Sequence, residues 1–215
     1  METVAAPQFE ITRPHHTEKR GIYAISRRVK PRQYVQEALD MAKWLDEHNG
    51  SFTGSFSRAY AISHCQVHLD DPIAMFVVAK ELCEIPKKGE KQGWHNFFFV
   101  SRAIFNPVIL DASKTLKRVV PVRKLNEAGT EMVVVPEEKE IDNIIHVKEG
   151  CMSFPNRSER GMDRFFRIKV RYQYLQKLPL VGYVTRTKTE WIEGLKAHMF
   201  QHEVEHHEGK NMHFK

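Results

Sequence analysis

Cysteine is scarce in this chain: Cys65, Cys83 and Cys151 are the only three, an odd number with no C-x-x-C pair. That argues against a disulfide framework and leaves each thiol free for other work. No stretch approaches the roughly 18 apolar residues that a membrane-spanning helix needs, so no membrane partner is expected. The first residues, Met1-Glu2-Thr3-Val4-Ala5-Ala6, start acidic and lead into Pro7 and Gln8 in place of an apolar segment, unlike a secretory signal. A reducing, cytoplasmic setting is therefore the expectation. No linker-like segment and no internal repeat divides the 215 residues, which predicts one domain over residues 31–215. Residues 1–30, polar and rich in His, Lys and Arg, read as an arm or a poorly ordered lead-in.

What is present is an ordinary globular composition, 41% hydrophobic and 28% charged, with a net charge of +6. The cations are scattered (Lys87, Lys88 and Lys91; Lys114, Lys117 and Arg118; Arg157, Arg160, Arg164 and Arg167) and alternate with acids. There is no zinc-finger spacing and no aromatic signature of RNA binding, so a solvated surface is favoured and specific DNA binding is not expected. An electrostatic contact with a ribosome or other RNA stays open.

Periodicity places the elements. Val35, Ala38, Leu39, Ala42 and Leu45 recur at helical spacing after Pro31, and Asn49-Gly50 marks the stop. A loop over residues 51–57 follows. Extended segments are expected at 59–67 and 73–79, with Asp70-Asp71-Pro72 turning between them, then at 97–100 and 104–110. Residues 119–122 and 132–135 flank Asn126-Glu127-Ala128-Gly129 as a plausible hairpin. Residues 165–175 and 180–192 alternate β-branched or aromatic with charged side chains, as half-buried strands do. Leu195, Met199, His202 and His206 fall on one stripe of a last helix that Gly209 is placed to stop. A helix before the strands and one after gives an α+β class, with mixed or antiparallel sheets between.

That last helix carries the sharpest chemical signal, His202-Glu203-Val204-Glu205-His206, an H-E-x-x-H string. Residues four apart on a helix face the same way, so both imidazoles can reach one metal ion while Glu203 is left to move protons. A catalytic site of this kind needs a third protein ligand and an open position. A glutamate some twenty residues downstream is ruled out, because nine residues follow His206. The pattern H-E-x-x-H-x-x-G-x-x-H fits through Gly209 and then meets Met212, with His213 out of register by one. Upstream, Glu149-Gly150-Cys151-Met152-Ser153 offers a cysteine.

Glu149-Gly150-Cys151-Met152-Ser153-Phe154-Pro155 and Gln201-His202-Glu203-Val204-Glu205-His206 through Gly209 resemble the second and third motifs of peptide deformylases, E-G-C-L-S and Q-H-E-x-D-H-x-x-G. Glu193-Gly194-Leu195 and Phe105-Asn106-Pro107 extend the resemblance, which spans roughly residues 58–214. The first family motif, G-L-A-A-x-Q, has its best counterpart in Ala61-Ile62-Ser63-His64-Cys65-Gln66, where the terminal Gln is kept. Ala5-Ala6-Pro7-Gln8 matches more literally but precedes the first helix and is taken as coincidence.

The resemblance implies that Cys151, His202 and His206 hold one divalent ion, with Fe(II) favoured and Zn(II) as the alternative, and that its bound water is acidified. Glu203 would act as general base and then general acid, while the Gln66 side chain and the backbone N–H of Met152 hydrogen-bond the formyl oxygen. The substrate would be the N-formyl-methionine of nascent chains, with Phe154 and Met199 lining an apolar pocket. Two alternatives stand beside it: another metal-dependent amidase or peptidase, and a silent homologue that binds nascent chains or ribosomes. Cys65 is expected as a packed thiol, His64, His198 and His207 as surface or supporting residues, and Glu205 as a longer replacement for the family's Asp. Insertions are expected near 84–96 and 111–148.

Overall fold

The computed structural model describes residues 24–48, 60–80, 102–151, 153 and 160–210. The expected helix stop at Asn49-Gly50, the loop 51–57, Cys83, the insertion near 84–96 and the strand at 97–100 lie outside these residues. So do Gln8, Met152, Phe154, Pro155, Met212 and His213. In chain order the elements are a 3-10 turn (Pro31–Tyr34), α1 (Val35–His48), β1 (Ala61–Ser63), a second 3-10 turn (His64–Gln66), β2 (Met75–Val78) and β3 (Ala103–Asp111). There follow β4 (Thr115–Leu125), β5 (Met132–Asp142), β6 (Ile144–Glu149), β7 (Arg160–Phe165), β8 (Arg167–Leu178), β9 (Gly182–Glu193) and α2 (Leu195–His207).

Five strands form one antiparallel sheet in the order β1-β2-β3-β8-β9, and β4-β5 and β6-β7 form separate two-stranded ribbons. The α+β expectation is met. Each large face of the main sheet is covered by one helix, and the alternation of β2 shows how. Met75 and Val77 join Ala38, Met41, Trp44 and Leu45 of α1 in one apolar cluster. Phe76 and Val78 join Ile104, Val170, Tyr172 and, from α2, Ala197, Met199 and Phe200 in the other. Successive strand residues point to opposite faces, so a strand covered on both sides reads as an unbroken apolar run, Met75-Phe76-Val77-Val78. The Phe76 and Phe200 rings meet edge to face with centroids 5.6 Å apart, which seats α2 on the sheet.

The expected extended segment at 59–67 breaks after Ser63. Residues 64–66 turn into a 3-10 helix because the Ser63 and Gln66 side chains cap each other's backbone N–H groups. The hairpin around residues 126–129 forms as expected and is longer than the alternation indicated: β4 and β5 pair over eleven positions, with Pro121 opposite Pro136. Prolines can oppose each other where neither N–H is needed by the ladder. This ribbon lies within the segment 111–148 and hangs from the body by Asn143. Its Nδ2 donates to the carbonyls of Ser113 (2.5 Å) and Arg167 (2.9 Å), and its Oδ1 accepts from the Arg167 N–H (2.8 Å). Strands β6 and β7 were not anticipated. No helix among the described residues is long and apolar enough to cross a membrane.

Residues 26–29 are tied to the sheet. Arg27 forms a parallel bridge with Ile73, and Ser26 N–H donates to the carbonyl of His207 at 2.9 Å. Asn106 holds this segment from a bulge in β3 at positive φ (49°), a conformation Asn tolerates better than most residues. Its Oδ1 accepts from Val29 N–H at 3.0 Å, and its Nδ2 donates to the Val29 carbonyl at 2.8 Å and to Gln173 Oε1 at 2.6 Å. Asn106→Ala leaves the Val29 N–H and carbonyl without these partners and places alanine at positive φ. It is expected to cost about 2 kcal/mol in urea unfolding; an unchanged midpoint would contradict the assigned anchoring role.

Candidate functional site

Helix α2 starts after Gly194 (φ 61°) and ends before Gly209 (φ 75°), the glycine marked as its stop. Ala197, Phe200 and Val204 pack α2 against the sheet, while His202 and His206 turn toward Glu149 and Cys151 at the end of β6. Cys151 follows β6 and is buried. The structure brings Cys151, His202 and His206 together: their ligand atoms lie within 4.8 Å of one another. Cys151 Sγ is 3.4 Å from His206 Nε2, and the two histidine Nε2 atoms are 3.1 Å apart. Around a tetrahedral ion with ordinary bond lengths, N···N and N···S edges are about 3.3 and 3.6 Å, so the three donors are already spaced for one cation.

The imidazole tautomers fit as well. His206 Nδ1–H donates to the Lys210 carbonyl at 3.3 Å, and His202 Nδ1 lies 2.9 Å from Glu149 Oε2. Each contact places the ring proton on Nδ1 and turns the Nε2 lone pair toward Cys151, which is how outer partners orient metal-ligating histidines. Burial alone opposes charge on His202, yet hydrogen bonds to Cys151 and Glu149 hold it well above the usual imidazole range. Burial and the neighbouring His202 push His206 well below that range.

Glu149 is the centre of a buried polar network. Arg164 Nη2 donates to its Oε2 at 2.8 Å while Arg164 Nε donates to Oε1, and His198 Nε2 is 2.7 Å from Oε1. Arg164 reaches on to Glu205 with two more bonds of 2.7 and 2.9 Å. Burial works to neutralise Glu149, but Arg164, His198 and His202 keep its carboxyl well below the carboxylate range. The longer Glu205 thus retains a contact to the network, and His198 sits beside the metal-ligand cluster without joining it.

Glu203 is buried one position round from the histidines, and burial raises its carboxyl pKa against the opposing influence of His202 and Ser63. Gln66 is also buried: its Nε2 donates to Ser153 Oγ at 3.0 Å and to Cys151 Sγ at 3.6 Å, so the side-chain amide faces the ligand cluster. Cys65 is a packed thiol whose Sγ contacts the His206 carbonyl at 3.6 Å, and burial pushes its pKa up. His207 is fully inside, with its Nε2–H on the Met75 carbonyl at 3.1 Å and its pKa pushed down to about 4 by burial. A second grouping, Glu37, His64 and His68, has metal-like spacing. There His64 Nδ1 accepts from the Ile73 N–H, so Nε2 carries the proton and donates to Glu37 at 2.7 Å. Sequence reasoning missed Arg164 and the part played by Glu149. The available signal was the placement of Glu149 two residues before Cys151.

Fold and site define an α+β protein whose C-terminal helix and a neighbouring cysteine converge on a Cys-His-His donor set beside a buried carboxylate, a constellation suited to metal-assisted hydrolysis. The family described as Polypeptide deformylase matches residues 17–213, and the chain belongs to it. A peptide deformylase of Thermotoga petrophila is 40% identical over 86 residues, which make up 38% of this chain. The match spans 44% of that relative's length. Among solved structures, the Met-Ala-Ser-bound class I type b peptide deformylase of Acinetobacter baumannii superposes with a TM-score of 0.54 at 17% identity, covering 96% of each chain. The peptide deformylase of Thermus thermophilus gives a TM-score of 0.51 at 19% identity, over 88% of this chain and 75% of that one. These likenesses establish the fold.

Arg164→Met leaves Glu149 as a buried charge without its main partner and is expected to cost about 3 to 5 kcal/mol in urea unfolding. Glu149 has a depressed folded-state pKa, so its contribution is complete above the ordinary carboxylate range and is lost as pH falls toward the folded value. The difference between wild type and Arg164→Met should therefore narrow on acidification; a difference that widens would contradict the pairing.

Proposed function

We propose that this chain removes the N-formyl group from the N-terminal methionine of nascent polypeptides in the cytoplasm, using one divalent ion held by Cys151, His202 and His206. The observation that carries the reading is the convergence of three matched donors with Glu203 and the Gln66 amide in one buried site. The donor set suits Fe(II), with Zn(II) as the alternative, and ligand type alone does not choose between them.

A divalent ion there supplies Lewis-acid polarisation and makes water acidic enough to attack near neutral pH. The chain's own residues do the rest. Glu203 takes a proton from the attacking water, whose oxygen bonds to the formyl carbon, and returns that proton to the amine nitrogen as the C–N bond breaks. Formate and a free methionyl amine are the products. Burial suits Glu203 to this exchange, because it brings the proton affinity of the carboxyl closer to neutrality. Gln66 Nε2 donates to the carbonyl oxygen as negative charge gathers on it, an effect of roughly 3 kcal/mol in comparable sites. The Met152 N–H is assigned the same task from the motif. Met199 and Phe154 are assigned to the methionine side-chain pocket.

Wild-type protein loaded with Fe(II) is expected to release formate from formyl-Met-Ala-Ser, and not acetate from the acetylated peptide. Glu203→Gln should lower turnover at least about 100-fold with the metal retained. Turnover by that variant at the wild-type rate would contradict the proton-transfer role, and preference for the acetylated or unblocked peptide would support a different amidase or peptidase.

A further inference from the structure

Ser63 stands where the deformylase motif G-L-A-A-x-Q has alanine, a residue with no hydroxyl. In this chain the hydroxyl is fully buried, a costly placement unless both its donor and acceptor capacity find partners. It has both. Ser63 Oγ accepts the backbone N–H of Gln66 in the reciprocal cap and donates to Glu203 Oε2 at 2.5 Å. The Ser63 backbone N–H donates to Gln66 Oε1 at 2.8 Å. Among the described residues Glu203 has no other side-chain hydrogen-bond partner.

One residue therefore sets two groups. With its oxygen fixed on the Ser63 N–H, the Gln66 amide must present its NH2 to Cys151 and Ser153. With one carboxylate oxygen fixed on the Ser63 hydroxyl, Glu203 is held in a single rotamer while its other oxygen is left for a proton. The run of bonds from the Gln66 N–H through the Ser63 hydroxyl to the carboxylate is cooperative, each bond polarising the next. His207 closes the far side, with Nε2 3.5 Å from the hydroxyl and its proton committed to the Met75 carbonyl. The hydroxyl is thus left to face Glu203.

We propose that Ser63 is a positioning residue for deformylation in this chain, holding Glu203 and Gln66 in fixed relation on the two sides of the scissile amide. This rests on the functional reading above, and the experiment separates the two. The holoenzyme and its Ser63→Ala variant are compared for formate release from formyl-Met-Ala-Ser, with metal content and thermal midpoint measured on the same samples. Alanine is the family's own residue here, so the fold accommodates it. The backbone bond to Gln66 survives this change and only the hydroxyl is lost. The proposal expects kcat to fall at least about tenfold with KM within about twofold, metal content unchanged, and Ser63→Thr to recover most of the loss because it restores the hydroxyl. If Ser63→Thr is too bulky to fold, Ser63→Cys, a weaker donor of similar size, should fall between serine and alanine. An unchanged kcat in Ser63→Ala, or a loss accounted for by missing metal or by KM alone, would overturn the positioning role. Absence of formate release by the wild-type holoenzyme would instead overturn the functional reading itself.

Discussion

The buried ion pair between Glu149 and Arg164 is the constraint on which the site depends. Glu149 ends β6, two residues before Cys151; Arg164 lies on β7; and their shared network reaches His198, His202 and Glu205 on α2. A charge pair removed from water stabilises only when its geometry is good and its remaining donors and acceptors are satisfied. Here the guanidinium spans two carboxylates and Glu149 accepts from three side chains, so this condition is met. The consequence is positional: the ribbon β6-β7 cannot shift against α2 without leaving buried charges unpaired. The cysteine and the histidines, far apart in sequence, thereby acquire a fixed relation.

The second support is the main sheet. Helix α2 lies on the face built from Phe76, Ile104, Val170 and Tyr172, while α1 covers the opposite face. The turn after β1 then carries Ser63 and Gln66 to the side of α2 opposite the ion pair, so the site is enclosed from two directions by elements that are themselves buried. Glu203 points into this enclosure, and its raised proton affinity follows from the same burial that orders the ligands.

Much of this was legible in the sequence where periodicity and chemistry coincide. The stripe through Leu195, Met199, His202 and His206 gave the last helix, and Cys151 was the available third donor once Met212 broke the alternative pattern. Gln66 lies beside Cys151 and Ser153 in a 3-10 turn instead of a strand, because mutual capping with Ser63 wins over the extended preference of its neighbours. Strands β6 and β7 escaped because each is six residues long and carries a charge at a buried position, Glu149 in β6 and Arg164 in β7. In Arg160–Phe165 the buried residues are Met162 and Arg164, so apolar alternation, the signal for a half-buried strand, is missing where the network needs arginine. Likewise His64, expected as a surface or supporting residue, is buried with its two nitrogens committed to Glu37 and Ile73.

The central claim, that Cys151, His202 and His206 form one cation site shaped by the Glu149 network, is tested most directly by titrating the metal-free protein with Co(II). The account predicts uptake of one ion per chain, with a near-ultraviolet thiolate-to-cobalt band and visible bands of tetrahedral character. It further predicts that the thiolate band disappears in Cys151→Ser. Absence of stoichiometric uptake, or a thiolate band that persists without Cys151, would contradict it.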